Sequence, residues 1–184
     1  MCDAVMSAHP APARKSAATP LSLAELVGLT TAVAADVRAG LYAVEADVDH
    51  RWHVRLHRDA QVDIWLISWT TEQGTQLHDH GGSAGAFTVV EGALTESVWT
   101  GVGELHDNER STGETVRFGE HYVHDVRNTA AATAVSVHAY STPLERMNFY
   151  DVAGGRLERL ASVWTDDPEA PAPESVRDRL REAS

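Results

Sequence analysis

His78-Asp79-His80 sets two imidazoles one residue apart. Along an extended strand alternate side chains share a face, so the two rings project together and Asp79 points the other way. Two neutral imidazoles on one side can bind a single divalent first-row metal. Pairs of this kind also arise by chance on protein surfaces, and the surroundings single this one out. Gly74 precedes it, Gly81-Gly82-Ser83-Ala84-Gly85 follows it, and Phe87 to Gly92 reads as a strand ending in a turn. A second chemical row lies at Ser136, His138 and Tyr140, which alternate with Val135, Val137 and Ala139. On a strand the polar three share one face and the apolar three the other. Buried, the polar row would form a hydrogen-bonded relay; exposed, it would be the wet side of an ordinary strand.

The elements that must position these groups are mostly strands. Gln61 to Trp69, Ala86 to Val90, Leu94 to Trp99 and Thr133 to Tyr140 are rich in β-branched and aromatic residues. Gly81-Gly82, Glu91-Gly92, Gly101-Val102-Gly103 and Thr112-Gly113 punctuate them. Short strands with glycine turns and no intervening helices predict a mainly β antiparallel sandwich or barrel over about residues 51–150. Before it, a helix is predicted within residues 21–40. Ser22 is its N-cap, Glu25 completes a capping box, Leu21 staples onto Leu26, and Gly40 stops it. After Tyr150 the pattern reads as helical and charged, with a break at Pro168 to Pro173 and a last helix near Glu174 to Glu182. Residues 1–20, rich in Ala and Pro, read as a mobile tail, which leaves 21–184 as a single domain.

Composition narrows the function. The chain has 184 residues and a net charge of −12, a field that repels nucleic-acid phosphates and anionic membranes. Cys2 is the only cysteine, so no intrachain disulfide forms. No apolar run reaches membrane-span length, and the first twenty residues lack a signal peptide's apolar core. The expectation is a cytoplasmic protein. Ten histidines are the compositional oddity.

Around the histidines the sequence resembles the cupin superfamily. Its first motif follows the His-x-His pair with a Glu and then, six residues on, a Gly; here Gly92 closes the motif and Gly85 holds the Glu slot. Its second motif supplies a further His and an Asn, matched by His124 and Asn128, with Gly113 at its opening. Gly119 and His121 depart from that motif's Pro and Gly. The resemblance implies a jelly-roll-like β-barrel with flanking helices and a metal set of His78, His80 and His124. No Asp or Glu lies between His80 and Phe87 to join them. Two histidines and a carboxylate leave a ferrous ion at about +1, and three neutral imidazoles leave it near +2. The more electrophilic ion suits an anionic, soft donor from the substrate, and a thiolate is the obvious one.

HDHGGSAGAF, HDVRN and SVHAY, in that order and spacing, closely resemble the cysteine dioxygenases, thiol dioxygenases on the cupin fold. That resemblance implies iron(II) on His78, His80 and His124, with Ser136, His138 and Tyr140 beside it. It also implies an arginine for the substrate carboxylate, matched best by Arg55. The expected reaction converts L-cysteine, held by its sulfur and amine, and O2 to cysteine sulfinic acid. Tyr140, oriented by His138 and through it by Ser136, would donate a hydrogen bond to the reacting oxygen or the carboxylate. Animal members carry, in the Gly85 slot, a Cys linked to the tyrosine; Cys2 is far away, so this chain resembles the uncrosslinked bacterial type. Lys15, the one lysine among fifteen basic residues, suits a GC-rich bacterial genome.

The alternatives are a dioxygenase of another small thiol, such as 3-mercaptopropionate, or a non-catalytic cupin that senses a ligand through its metal. The 3-mercaptopropionate enzymes carry Gln at the arginine position, and Gln61 lies too far along its strand for that. A zinc or manganese isomerase or decarboxylase would keep the Glu that Gly85 replaces. Expected partners are a small thiol and O2, on a monomer or small homo-oligomer. His106 reads as structural, and His50, His53 and His57 as at most an adventitious metal cluster. Trp65, Trp69 and Trp99 read as core. Whether His53 or His121 enters the pocket is left open.

Overall fold

A computed structural model describes residues 19–182; apart from Thr19 and Pro20, the tail expected over residues 1–20 lies outside the described residues. The chain opens with helix α1 (Leu23–Arg38) and continues through β1 (His53–Arg58), β2 (Asp63–Trp69), β3 (His78–Asp79), β4 (Ala84–Glu91) and β5 (Ala93–Trp99). It then runs through β6 (Leu105–Ser111), β7 (Thr115–Phe118), β8 (His124–Arg127), β9 (Ala134–Ser141), β10 (Arg146–Ala153) and β11 (Arg156–Trp164) to helix α2 (Glu174–Glu182). One antiparallel sheet has the order β1-β2-β9-β4-β7, the other β11-β10-β3-β8-β5-β6. The sheets face each other in a jelly-roll-like arrangement. Their edge strands do not pair across the gap, so the fold is an open two-sheet sandwich and not a closed barrel.

The capping box of α1 forms as expected: Ser22 Oγ accepts from the Glu25 amide at 3.3 Å, and the Ser22 amide donates to Glu25 Oε2 at 2.8 Å. Gly40, at φ 76°, takes the left-handed turn after the helix. The apolar stripe of α1 lies on the outside of the first sheet. There Leu26, Ala34 and Val37 pack against Leu66, Val135, Val137 and Ala139. The inner face of the same strands carries Trp65, Ile67, Trp69, Phe87 and Tyr140, which meet Leu94 and Val126 of the opposite sheet. Central strands β2 and β9 are thus covered on both sides and buried at every residue, which explains their near-continuous apolar sequence. The row Ser136-His138-Tyr140 points into the space between the sheets, not into solvent.

The helical, charged pattern expected directly after Tyr150 is instead hairpin β10–β11. Gly154 and Gly155, at φ 57° and 73°, form the two-residue link between paired Ala153 and Arg156. Positive φ at both positions matches the right-handed strand twist, so the glycine pair outweighs the helical propensity of the charged residues. Helix α2 forms where expected. Ahead of it Ala172 is buried, and with Val176 it packs against Leu144, Met147 and Phe149, which straps the C-terminal segment across the second sheet.

Candidate metal centre

The register that aligns His78 of β3 with His124 of β8 brings the two most distant members of the expected trio side by side. His80 follows two residues after His78 and returns to the same face. Ring donor atoms of His78, His80 and His124 lie within 4.8 Å of one another, and all three residues are buried. His78 Nδ1 faces the Gln76 carbonyl at 2.7 Å and His124 Nδ1 faces a Glu96 carboxylate oxygen at 2.9 Å. Both partners only accept, so each Nδ1 carries a proton and each Nε2 is the atom turned toward the trio. Burial, with the neighbouring His124 next, pushes His78 down to about 3, and burial holds His80 well below the usual histidine range. Two uncharged, buried rings therefore meet with Nε2 atoms 3.2 Å apart. That donor set fits a metal ion. Asp79 turns outward as alternation predicts: it accepts from the Gly81 amide, Asn148 and Tyr150.

Glu96 is a buried partner of the trio that the motifs do not point to, although the sequence holds a signal for it. In β5 it alternates with Leu94 and Val98, an acid on an inward apolar face. Fully buried, it accepts from His124, from Tyr122 Oη at 3.1 Å and from Arg110 Nε at 2.9 Å. It fixes the tautomer of His124, and Arg110 balances its charge.

The slot held by Gly85 has no room for a side chain. A Cβ there would lie 2.4 Å from Phe118 Cζ and 2.8 Å from the Ala139 carbonyl oxygen. The Phe118 ring fills the space where a carboxylate or thiol would stand, and it stacks on His80 with ring centroids 4.9 Å apart. The trio therefore gains no acid from this side, and the residue paired in register with Tyr140 is Gly85, which brings no sulfur.

The polar row of β9 is continuous. Trp69 Nε1 donates to Ser136 Oγ at 2.8 Å, Ser136 Oγ meets His138 Nε2 at 2.8 Å, and His138 Nδ1 lies 3.4 Å from Tyr140 Oη. Trp69 can only donate. Two orders fit these distances: Ser136 donates to Nε2 and Nδ1–H points at the tyrosine oxygen, which frees the Tyr140 hydroxyl hydrogen, or the tyrosine donates to Nδ1 and Nε2–H donates to Ser136. Burial pushes His138 down to about 3 and Tyr140 well above the usual phenol range, so both are neutral. The Tyr140 and His80 rings are 4.7 Å apart, which places the end of the row at the trio. Trp69 is core, as read from the sequence, and also the head of this row.

Arg55 is engaged at Asp166 and Trp65. Its guanidinium lies 4.4 Å above the Trp65 ring, and its Nη2 donates to the carboxylate and the carbonyl of Asp166 at 2.8 and 2.7 Å. Arg51, on the same face of the chain four residues earlier, lines a cavity of about 170 Å³ together with Gln76, His78, Met147, Phe149 and Glu169. The Arg51 charge also helps to lower His78 and His138, after burial and His124. Arg51 thus shares a cavity wall with His78, while Arg55, the arginine expected from the sequence, is held at Asp166. Arg51 Nε donates to the carboxylate of Glu169, and Arg51 Nη1 donates to the Gly74 carbonyl. His53 lines a neighbouring cleft, held between the Arg51 carbonyl and Asp167, and its bond to Asp167 raises it above the usual histidine value. His106 and His121 are exposed. Asn128 is buried and joins the end of β2 to the following loop through Trp69 and Ala132 carbonyls.

A family model described as cysteine dioxygenase type I matches residues 23–153. Among solved structures, oxalate oxidase in complex with the substrate analogue glycolate is similar at 13% identity and a TM-score of 0.49, covering 78% of this chain and 72% of that one. The TT1209 protein of Thermus thermophilus is similar at 16% identity and a TM-score of 0.48, covering 53% and 89%. A cupin superfamily protein of Desulfitobacterium hafniense is similar at 11% identity and a TM-score of 0.45, covering 53% and 83%.

Proposed function

The chain belongs to the cysteine dioxygenase type I family, and from that premise we propose that it is an iron(II) thiol dioxygenase that converts L-cysteine and O2 to cysteine sulfinic acid. The observation that carries this reading is the convergence of three buried imidazoles with no carboxylate among them. Iron(II) held there supplies a Lewis-acidic centre with open positions for an anionic sulfur donor and for dioxygen.

The protein's own groups do the positioning. His78, His80 and His124 hold the ion, Glu96 keeping His124 in its donor tautomer. Arg51 offers a guanidinium to the substrate carboxylate in a cavity near 170 Å³, small enough to favour a molecule of a few heavy atoms. Tyr140, neutral, donates to the reacting oxygen or to the carboxylate when Ser136 donates to His138 and His138 to the tyrosine oxygen. Phe118 and Phe87, stacked on His80 and His138, keep water from these rings. We extend the proposal to residues 21–184 as one cupin domain. No helix among the described residues is long and apolar enough to cross a membrane.

The test is oxygen uptake and product analysis by the iron-loaded protein across a panel of small thiols. Sulfinate formation with the highest kcat/KM for cysteine supports the reading. Sulfinate with a higher kcat/KM for a thiol lacking the amino-acid headgroup moves the substrate but keeps the chemistry. Disulfide alone ends the dioxygenase reading.

A further inference from the structure

Three imidazoles bring no negative charge to a metal, so a divalent ion held by them keeps its double charge unless an anion stands close by. Two buried carboxylates do. Glu96 is already matched by Arg110, which meets its Oε2 through Nε at 2.9 Å and Nη2 at 2.8 Å. Asp79 is the other. It sits between His78 and His80 in the two-residue strand β3, paired with Asn148 of β10, and is 5% exposed. Its Oδ1 accepts from the Gly81 amide and from Asn148 Nδ2, each at 2.7 Å, and its Oδ2 accepts from Tyr150 Oη at 2.6 Å. Burial pushes Tyr150 up to about 12, so all three donors are neutral. Among the described residues Asp79 forms no ion pair with Arg, Lys or His. Arg146 of β10 instead donates to the Gly81 carbonyl at 3.0 Å and lies over the Trp164 ring.

We infer that Asp79 is a positioning residue of the metal centre whose negative charge, matched by no ion pair, offsets the charge of an ion held across the strand by His78 and His80. This rests on the trio as a metal site and not on the thiol as substrate. A carboxylate buried among neutral donors alone is costly, and an opposite charge nearby offsets that cost. Alternation puts the carboxylate on one face of β3 and the two rings on the other, so only the thickness of the strand separates it from the ion. The same carboxylate fixes the turn that aims His80. Gly81, whose amide it holds, has φ 60°, and a Cβ there would lie 2.5 Å from the Arg146 carbonyl oxygen.

The experiment compares wild type, Asp79→Asn and Tyr150→Phe. It measures zinc(II) affinity by competition with a chromophoric chelator, and the melting temperature of the metal-free protein. Asn keeps the hydrogen bonds and removes the charge: its oxygen accepts from Gly81 and Asn148, and its NH2 donates to a Tyr150 hydroxyl turned round. Zinc(II) should be held about tenfold or more weakly by Asp79→Asn. The metal-free melting temperature should stay or rise, because a buried charge has left the fold. Tyr150→Phe keeps the charge and removes a donor, so the metal-free melting temperature should fall while affinity stays within about twofold. Loaded with iron, Asp79→Asn should also show a higher iron(III)/iron(II) midpoint potential, because iron(III) loses more from the missing charge; each tenfold of that difference is about 59 mV. Zinc(II) affinity within about threefold of wild type in Asp79→Asn, or an equal loss in Tyr150→Phe, would overturn the inference. A lower metal-free melting temperature of Asp79→Asn alongside weaker binding would make Asp79 a mere brace and overturn it too. Wild type that binds no zinc(II) or iron(II) would remove both the inference and the metal site. Sulfinate formation in air is scored separately: the expected affinities without sulfinate from any thiol leave the role of Asp79 standing and remove the dioxygenase reading.

Discussion

Glu96→Gln is the most informative single change at the metal centre. The carboxylate is fully buried and accepts from three side chains, His124 at 2.9 Å, Tyr122 at 3.1 Å and Arg110 through Nε at 2.9 Å and Nη2 at 2.8 Å. Gln keeps one oxygen, enough for His124 and Tyr122, and turns an NH2 toward Arg110. Breaking a fully buried ion pair costs about 3–5 kcal/mol. The Arg110 side chain is 24% exposed and can turn to water, so a stability loss of roughly 2 kcal/mol is expected. The more specific effect falls on the metal. Groups that hold a ligand histidine contribute about 10–100-fold in affinity, or 1.4–2.8 kcal/mol. Competition against a chromophoric chelator should show iron(II) or zinc(II) held at least about tenfold more weakly by Glu96→Gln. Arg110→Gln provides the contrast: it leaves Glu96 anionic behind His124, so stability should fall while metal affinity is retained. Affinity within about twofold of wild type in Glu96→Gln, or an equal loss in Arg110→Gln, would refute the claim that the Glu96 charge acts on the metal through His124.

Arg51→Gln should raise KM for cysteine about tenfold or more, whereas Arg55→Gln, which removes an arginine held at Asp166, should change it by less than about twofold; steady-state kinetics of both decide which arginine faces the substrate. Gly85→Ala should destabilise the fold by roughly 1–3 kcal/mol, because its Cβ would lie 2.4 Å from Phe118 Cζ; denaturant unfolding measures it, and a neutral result would contradict the close packing at that slot. Trp69→Phe removes the donor that orders the polar row, and should lower kcat while KM for cysteine stays within about twofold; the opposite split would show that the row serves binding. Asp63 is buried, and burial pushes it up to about 6 from a usual value of 3.8. Between those pH values the folded protein holds a proton that the unfolded chain has released. Stability therefore falls as pH rises through that window, by up to roughly 3 kcal/mol, and stays lower above it. Asp63→Asn should flatten this profile and raise the melting temperature at pH near 8.

The parts legible in the sequence are those set by short periods. Alternation of two places His78 and His80 on one face with Asp79 opposite, and it separates Ser136-His138-Tyr140 from the apolar residues that pack under α1. The capping box of Ser22 and Glu25 marks the start of that helix. His124 needs the motif as well, because only the pairing of β3 with β8 brings it to His78. Arg51 and Arg55 alternate onto one face, and no local pattern tells them apart. What separates them is Asp166, more than a hundred residues away, capturing one, and Glu169 capturing the other. Glu96 carries a local signal, an acid in step with Leu94 and Val98, but its meaning comes only from His124 across the sheet. The hairpin at Gly154-Gly155 is hidden because charged residues on the open face of β11 imitate a solvated helix.

The central claim, that three imidazoles with no carboxylate among them poise iron(II) to put both atoms of one oxygen molecule onto a thiol, is tested most directly by isotope labelling. The iron-loaded protein is turned over with cysteine under a mixture of doubly labelled and unlabelled dioxygen, and the sulfinate is weighed by mass spectrometry. The account predicts product carrying two labelled oxygens or none, with scarcely any of mixed mass. A product with one labelled and one solvent-derived oxygen, or sulfinate that persists undiminished when His78, His80 and His124 are all replaced by alanine, would contradict it.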